Sequence, residues 1–293
     1  MTTPRRFTFT GRDGTQIVAF RWEPAGTPRA IVQITHGVGE YVRRYSHVAA
    51  SLVAAGYAVQ GQDHRGHGAT AGSEEALGQI GAAGWTELVH DIGELAALGR
   101  QQWPGVPLFL LSHSLGSFAT QQFLLHSSDR VDGVVLTGTS ALDLLEPALD
   151  LDAEIDLSAF NAGIEPARNG FDWISRDDGI VDAYLGDPYC GFGLDPEGMK
   201  AMVAGARAVA APERMAQVRA DLPLAVMVGG ADPVGGHGEL VKALVDRYRT
   251  AGLTDVSLRV YEGARHEILN ETNRAEVIND ILGWLNSHTP TAD

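Results

Sequence analysis

The residues that invite a chemical reading are one serine, one aspartate and one histidine, each just past an apolar run. Ser114 lies in LLSHSLGSF, residues 110–118, between the run PLFLL and the helix-like pattern FATQQFLL. A serine hydroxyl becomes a nucleophile when a histidine takes its proton and a carboxylate holds that histidine in the right tautomer. Asp232 stands in GGADPV directly after LAVMV, and His266 stands in EGARHEIL directly after LRVY. The chain order Ser, Asp, His, with each residue at the carboxyl end of a predicted strand, suits nucleophilic acyl transfer. Taken singly, each has a plainer reading. Ser114 could belong to an ordinary strand-to-helix turn, Asp232 could be a turn former before Pro233, and His266 could be a surface or helix-entry residue among ten histidines. Their coincidence at one sheet edge is what points to catalysis.

The serine motif is Ser-x-Ser-x-Gly, from Ser112 to Gly116. Small residues on both sides let strand and helix approach while the central serine takes an unfavourable backbone conformation. A tetrahedral intermediate also needs donors for its oxyanion. The N–H of Leu115 is one. The loop His36-Gly37-Val38-Gly39, after the third predicted strand, can offer the N–H of Val38 as the second. Read without the serine, that loop is only a glycine turn. His113 precedes the elbow and is expected to point away from the site, and His237, in a glycine-rich stretch entering a helix, is set aside.

The elements that must hold these groups follow from periodicity. Residues 7–10 and 15–22 read as a hairpin turning at Asp13-Gly14, and AIVQIT reads as a strand buried on both faces. A helical pattern runs from about residue 41 to 55, YAVQGQD is a strand, and residues 84–102 carry an apolar stripe at Trp85, Leu88, Ile92, Leu95 and Leu98. After the elbow helix come GVVLTG, then PLAVMVGG, VSLRVYEG and a final helix through Trp284. Strands alternating with helices predict a mostly parallel, doubly wound α/β sheet flanked by helices. The rhythm stops between 141 and 219, an acidic stretch interleaved with Leu, Phe, Trp and Tyr. It is read as a mostly helical cap inserted into a core formed by 1–140 and 220–293.

Composition limits the partners. The chain has 293 residues, 44% hydrophobic and 20% charged, with net charge −15, the balance of a soluble globular protein. Between residues 141 and 195 there are thirteen Asp or Glu against Arg168 and Arg176. No basic patch suggests nucleic acid, and anionic membrane surfaces are disfavoured for the same reason. No apolar run is long enough for a span, so stable membrane insertion is not expected. The N-terminal stretch has no apolar region behind its arginines, and a single cysteine, Cys190, excludes an intramolecular disulfide and a cysteine-built zinc site. A cytoplasmic setting is the default reading.

The blocks HGVGEYVRRY, QDHRGHGAT, LLSHSLGSF, VDAYLGDPYC, GGADPV and YEGARHEILNE, in this order from about residue 8 to 288, resemble the monoacylglycerol lipase and lysophospholipase-like group of α/β-hydrolases. The resemblance implies the α/β-hydrolase fold, Ser114 as nucleophile, Asp232 and His266 as its partners, and Val38 and Leu115 as oxyanion donors. It implies mainly structural roles for the charged and histidine residues of DHRGHG, so a metal reading of His64 and His67 is rejected. Two features depart from the group. Ser112 and Ser117 stand where glycines are usual, and Tyr41 replaces a histidine on a loop lining the acyl site. Cys190 matches a cysteine near the pocket in some relatives, with a small buried apolar role as the plainer reading.

The resulting expectation is a carboxylic ester hydrolase with no metal or organic cofactor. Its substrate is a small ester with an apolar acyl group, a neutral monoester such as a monoacylglycerol with a medium chain. Candidate pocket residues in the insertion are Leu144, Leu145, Leu149, Leu157, Phe160, Phe171, Trp173, Ile174, Tyr184 and Phe192. An acidic cap should repel phosphate-bearing lysolipids. Haloalkane dehalogenases and epoxide hydrolases use an Asp nucleophile, which Ser114 argues against. Aminopeptidases, acyltransferases, thioesterases and C–C hydrolases share the triad and stay open, as does a non-catalytic binding module.

Overall fold

A computed structural model describes residues 3–290. Its centre is one eight-stranded sheet: β1 (Arg5–Thr10), β2 (Gln16–Trp22), β3 (Ile31–Thr35), β4 (Ala58–Gln62), β5 (Leu108–His113), β6 (Gly133–Thr137), β7 (Leu224–Gly229) and β8 (Val256–Tyr261), in spatial order β1-β2-β4-β3-β5-β6-β7-β8. The hairpin β1–β2 and the β2–β4 pair are antiparallel, and every other pair is parallel. This is the mostly parallel sheet that the alternating pattern predicts, and it agrees with the α/β-hydrolase fold that the resemblance implies.

The central strands are buried along their whole length, because helices cover both faces. That is why their sequences read as continuous apolar runs rather than alternating ones. The helices Gly81–Gln102, Leu115–Ser127, Pro196–Ala210 and Glu239–Thr250 pack into the core on one face. Ser46–Ala54 and Arg274–His288 pack on the other. Two glutamines inside the sheet form a chain of hydrogen bonds: Gln60 donates to Gln33 Oε1 at 2.9 Å, and Gln33 donates to the Ile92 carbonyl at 2.8 Å.

The connection between β6 and β7, residues 138–223, contains no strand among the described residues. It is built from short turns, the helix Asp178–Leu185 and the longer helix Pro196–Ala210. Asp177 and Asp195 start these two helices by accepting hydrogen bonds from backbone N–H groups of the first turn. Among the described residues, no helix is long and apolar enough to cross a membrane.

Candidate active site

The loops after β3, β5, β7 and β8 leave the sheet at the same edge, the carboxyl ends of its strands, and they carry His36–Glu40, Ser114, Asp232 and His266 respectively. Ser114 has φ 50° and ψ −121°, a conformation that L-residues rarely adopt. Two constraints hold it there. Its N–H donates to the Thr137 carbonyl at 3.0 Å, and the Gly116 N–H donates to the His36 carbonyl at 3.0 Å. Gly116 is required by proximity, since a Cβ there would lie 2.4 Å from the Thr35 carbonyl oxygen. The serines found in place of glycines have partners within the elbow: Ser112 Oγ pairs with Thr120 Oγ1 at 2.8 Å, and Ser117 Oγ donates to the Ser114 carbonyl at 2.6 Å.

Asp232 is fully buried and His266 nearly so. His266 Nδ1 lies 2.9 Å from Asp232 Oδ2, and the Val234 N–H donates to Asp232 Oδ1 at 2.9 Å. The carboxylate therefore fixes the tautomer with the proton on Nδ1 and leaves Nε2 free. Burial works against charge on His266, but the Asp232 carboxylate outweighs it, with Glu267 and Glu40 beyond, so the imidazole titrates above its ordinary value. No hydrogen bond joins Ser114 Oγ to His266. In ligand-free sites such bonds are often long and tighten with substrate. His113, the residue before Ser114, packs its ring 4.7 Å from that of His266. This corrects the expectation that His113 points away. The strand ends at the elbow, and the ring turns under the histidine loop, held by Thr137 Oγ1 at 3.1 Å.

Val38, Ser114 and Leu115 line one narrow cleft. Leu115 opens the helix Leu115–Ser127, so its N–H has no intrahelical acceptor. The loop bearing Val38 is fastened by the Gly37 N–H to Glu40 Oε1 at 2.6 Å. Apart from Ser114, every residue lining the cleft is apolar.

The residues anticipated for the acyl pocket divide between different surroundings. Leu145, Leu149, Leu157, Phe160 and Trp173 line the cleft. Tyr41 faces a separate groove beside Arg43 and Tyr189, with its phenol donating to Asp187 Oδ2 at 2.7 Å. Leu144 is 47% exposed. Phe171 and Tyr184 pack together with ring centroids 5.4 Å apart. Cys190 is half-buried away from the cleft lining, and burial pushes its thiol up, so it stays protonated.

Two features escaped the sequence reading. Met199 and Met202 line the cleft from the helix Pro196–Ala210, and their i, i+3 spacing was the available signal. The second is a buried charge cluster. Arg44 Nη1 bonds Glu40 Oε2 at 2.6 Å and Glu267 Oε1 at 2.7 Å, and Nη2 bonds Glu267 Oε2 at 2.8 Å. Tyr45 donates to Glu40 Oε1 at 2.7 Å, and Asn270 to Glu267 Oε2 at 2.8 Å. Burial raises Glu40, whereas Arg44 outweighs burial at Glu267 and holds it down. The cluster clamps the Val38 loop to the loop of His266.

Residues 26–273 match the model of the family described as serine aminopeptidase, S33. A monoacylglycerol lipase of Mycolicibacterium smegmatis is 33% identical over 98% of both chains. A monoglyceride lipase of Mus musculus is 30% identical over 94% of this chain and 87% of its own. Among solved structures, a highly thermostable carboxyl esterase from Bacillus coagulans, crystallised with glycerol, superposes with a TM-score of 0.87 at 28% identity, covering 99% of this chain and 100% of the esterase. A match that runs through all four loops of the site and nearly the full length of these relatives places the chain in the serine aminopeptidase S33 family, as a monoacylglycerol lipase-like α/β-hydrolase.

Proposed function

We propose that the protein is a cytoplasmic serine hydrolase of neutral carboxylic monoesters, monoacylglycerols with medium acyl chains being the preferred class. The observation that carries the reading is a cleft whose one polar lining residue is a serine in a strained elbow. A pocket of this kind takes an acyl chain and presents its carbonyl carbon to that hydroxyl. The names of the M. smegmatis and mouse relatives and the glycerol complex of the B. coagulans esterase favour a polyol as the leaving alcohol.

In this reading Ser114 Oγ attacks the ester carbonyl while its proton passes to His266 Nε2, and the N–H groups of Val38 and Leu115 receive the oxyanion. His266 then gives the proton to the departing alcohol, and Asp232 holds the imidazole and balances its charge. A water, deprotonated by His266, attacks the acyl-enzyme, releases the fatty acid and restores Ser114. The chemistry requires no cofactor, metal or nucleic acid.

Residues 141–219 serve as a cap that supplies the acyl wall, with Leu145, Leu149 and Trp173 as its substrate-facing members. Its acidity disfavours anionic lipids. The cleft lining contains no carboxylate to receive a free α-ammonium group, which favours esters over the aminopeptidase chemistry in the family's description.

The test is hydrolysis of p-nitrophenyl esters of increasing acyl length, and of a monoacylglycerol beside the matching lysophosphatidate. Wild type and Ser114→Ala are compared, with fluorophosphonate labelling alongside. Turnover with a medium-chain optimum, absent in the variant and weak on lysophosphatidate, is expected. A folded wild type that neither labels nor turns over any ester would sink the reading.

A further inference from the structure

The insertion does more than wall the cleft, because one of its residues reaches the histidine directly. The Trp173 ring centroid is 4.8 Å from that of His266, with the planes tilted by 41°. The Trp173 carbonyl accepts the His266 N–H at 3.3 Å, and the Ile174 carbonyl accepts the Glu267 N–H at 2.7 Å. Arg265, on the histidine loop, donates to the Asp172 and Ser175 carbonyls at 2.6 and 3.0 Å. The same indole lines the cleft and packs against Phe160, with centroids 5.1 Å apart and planes tilted by 44°. Its side chain is thus shared between the acyl wall and the proposed base.

Resting on the hydrolase reading for the role of His266, we propose that Trp173 is a positioning residue for that base. Its indole fixes the imidazole from the acyl side and offers a π surface to the positive charge that His266 carries after taking the serine proton. An aromatic ring within about 6 Å of a cation attracts it, and tryptophan does so most strongly. The contact is buried, so water does not compete for the charge.

The other charges around His266 act independently of the indole. Asp232 approaches from the loop after β7, Glu40 and Arg44 from the loop after β3, His113 from the end of β5, and Arg265 and Glu267 lie on the loop of His266 itself. The Asp172 carboxylate is occupied by the N–H groups of Arg168 and Asn169. Substituting Trp173 leaves all of these in place. The indole Nε1 has no partner in the structure, so Trp173→Phe deletes no hydrogen bond to the protein.

The experiment is an NMR titration of the His266 imidazole in wild type, Trp173→Phe and Trp173→Leu, paired with the pH profile of kcat/KM for a p-nitrophenyl ester. Removing the π surface destabilises the imidazolium. The His266 titration, and with it the acidic limb of the profile, is therefore expected to move to lower pH by roughly half to one unit in the Leu variant. The Phe variant should fall between Leu and wild type, and serves alone if Leu fails to fold. A titration that stays in place, or rises because water enters the smaller site, overturns the proposal and leaves Trp173 as cleft wall. The NMR readout needs no turnover, and fluorophosphonate labelling of Ser114 is scored separately, so a failed hydrolase reading is distinguishable from a failed role for Trp173.

Discussion

At the scale of single residues, the elbow trades stability for geometry. Ser114 sits at φ 50° and ψ −121°, and a non-glycine residue held in such a region costs on the order of 1–3 kcal/mol. The surrounding bonds to Thr137 and His36 sustain that cost, so the strain belongs to the position rather than to the hydroxyl. Ser114→Ala should keep it and Ser114→Gly should relieve it. Glycine gives back part of the gain through its larger unfolded-state entropy. The expected result is that both variants lose esterase activity while Ser114→Gly is the more stable by about 1 kcal/mol. Urea denaturation of the two side by side checks this, and equal midpoints would show a relaxed elbow.

At the scale of elements, the site depends on loops that the sheet brings to one edge and side chains then lock together. The Arg44 guanidinium joins Glu40 on the loop after β3 to Glu267 on the loop after β8, and both carboxylates are almost fully buried. Removing the cation leaves two buried carboxylates without a counter-charge, which costs about 3–5 kcal/mol for a buried pair. Arg44→Ala should therefore lose that much stability in urea unfolding, and adding Glu267→Gln to it should recover part of the loss. A variant as stable as wild type would mean that solvent reaches the cluster. The clamp also marks where the sequence stopped being legible. The strands, the elbow and the loops bearing Asp232 and His266 each announce themselves locally, through apolar runs that end at small or polar residues. Arg44 and Glu267 are 223 positions apart, and nothing in the period of either segment couples them. The same limit explains Leu144 and Phe171. Between residues 138 and 177 short turns replace periodic elements, so which side chain faces the cleft is decided by tertiary packing. His113 was misread for a related reason: alternation along β5 fixes the side of the strand but not where the ring turns once the strand ends.

At the scale of the whole molecule, folding is coupled to pH through imidazoles that the core keeps neutral. His36, His64 and His67 are buried where β3 and β4 end, with ring centroids 4.1 Å apart for His36 and His64 and 5.3 Å for His36 and His67. His36 Nδ1 faces the Gly37 carbonyl at 2.8 Å while its Nε2 accepts the His64 N–H at 2.9 Å, so a second proton on that ring would meet a donor. Burial, with the neighbouring His67 adding to it, holds His64 down to about 3, and burial holds His67 down to about 4. Burial also puts His36 and His113 well below the ordinary histidine value. An unfolded chain binds protons at these positions near pH 6.5, and the folded chain does not. Stability is therefore fully present above that pH and falls as pH drops from about 6.5 toward 4, by up to about 1.4 kcal/mol per pH unit for each ring. His266 has the opposite sign. Its raised value adds stability below pH 6.5 that is lost as pH climbs through its folded titration, so it cannot mask the acid loss. Buried carboxylates held down by their partners, such as Glu271, add to that loss only once pH falls into the carboxylate range. Urea midpoints measured at pH 7.5, 6.5, 5.5 and 4.5 should accordingly fall steeply before carboxylates titrate, and His67→Phe should flatten the fall by about one proton's worth of slope. A midpoint that holds constant from pH 6.5 to 5 would mean that these rings take up protons in the folded state, and that the loop carrying Val38 rests on a more open foundation than the packing of three neutral imidazoles implies.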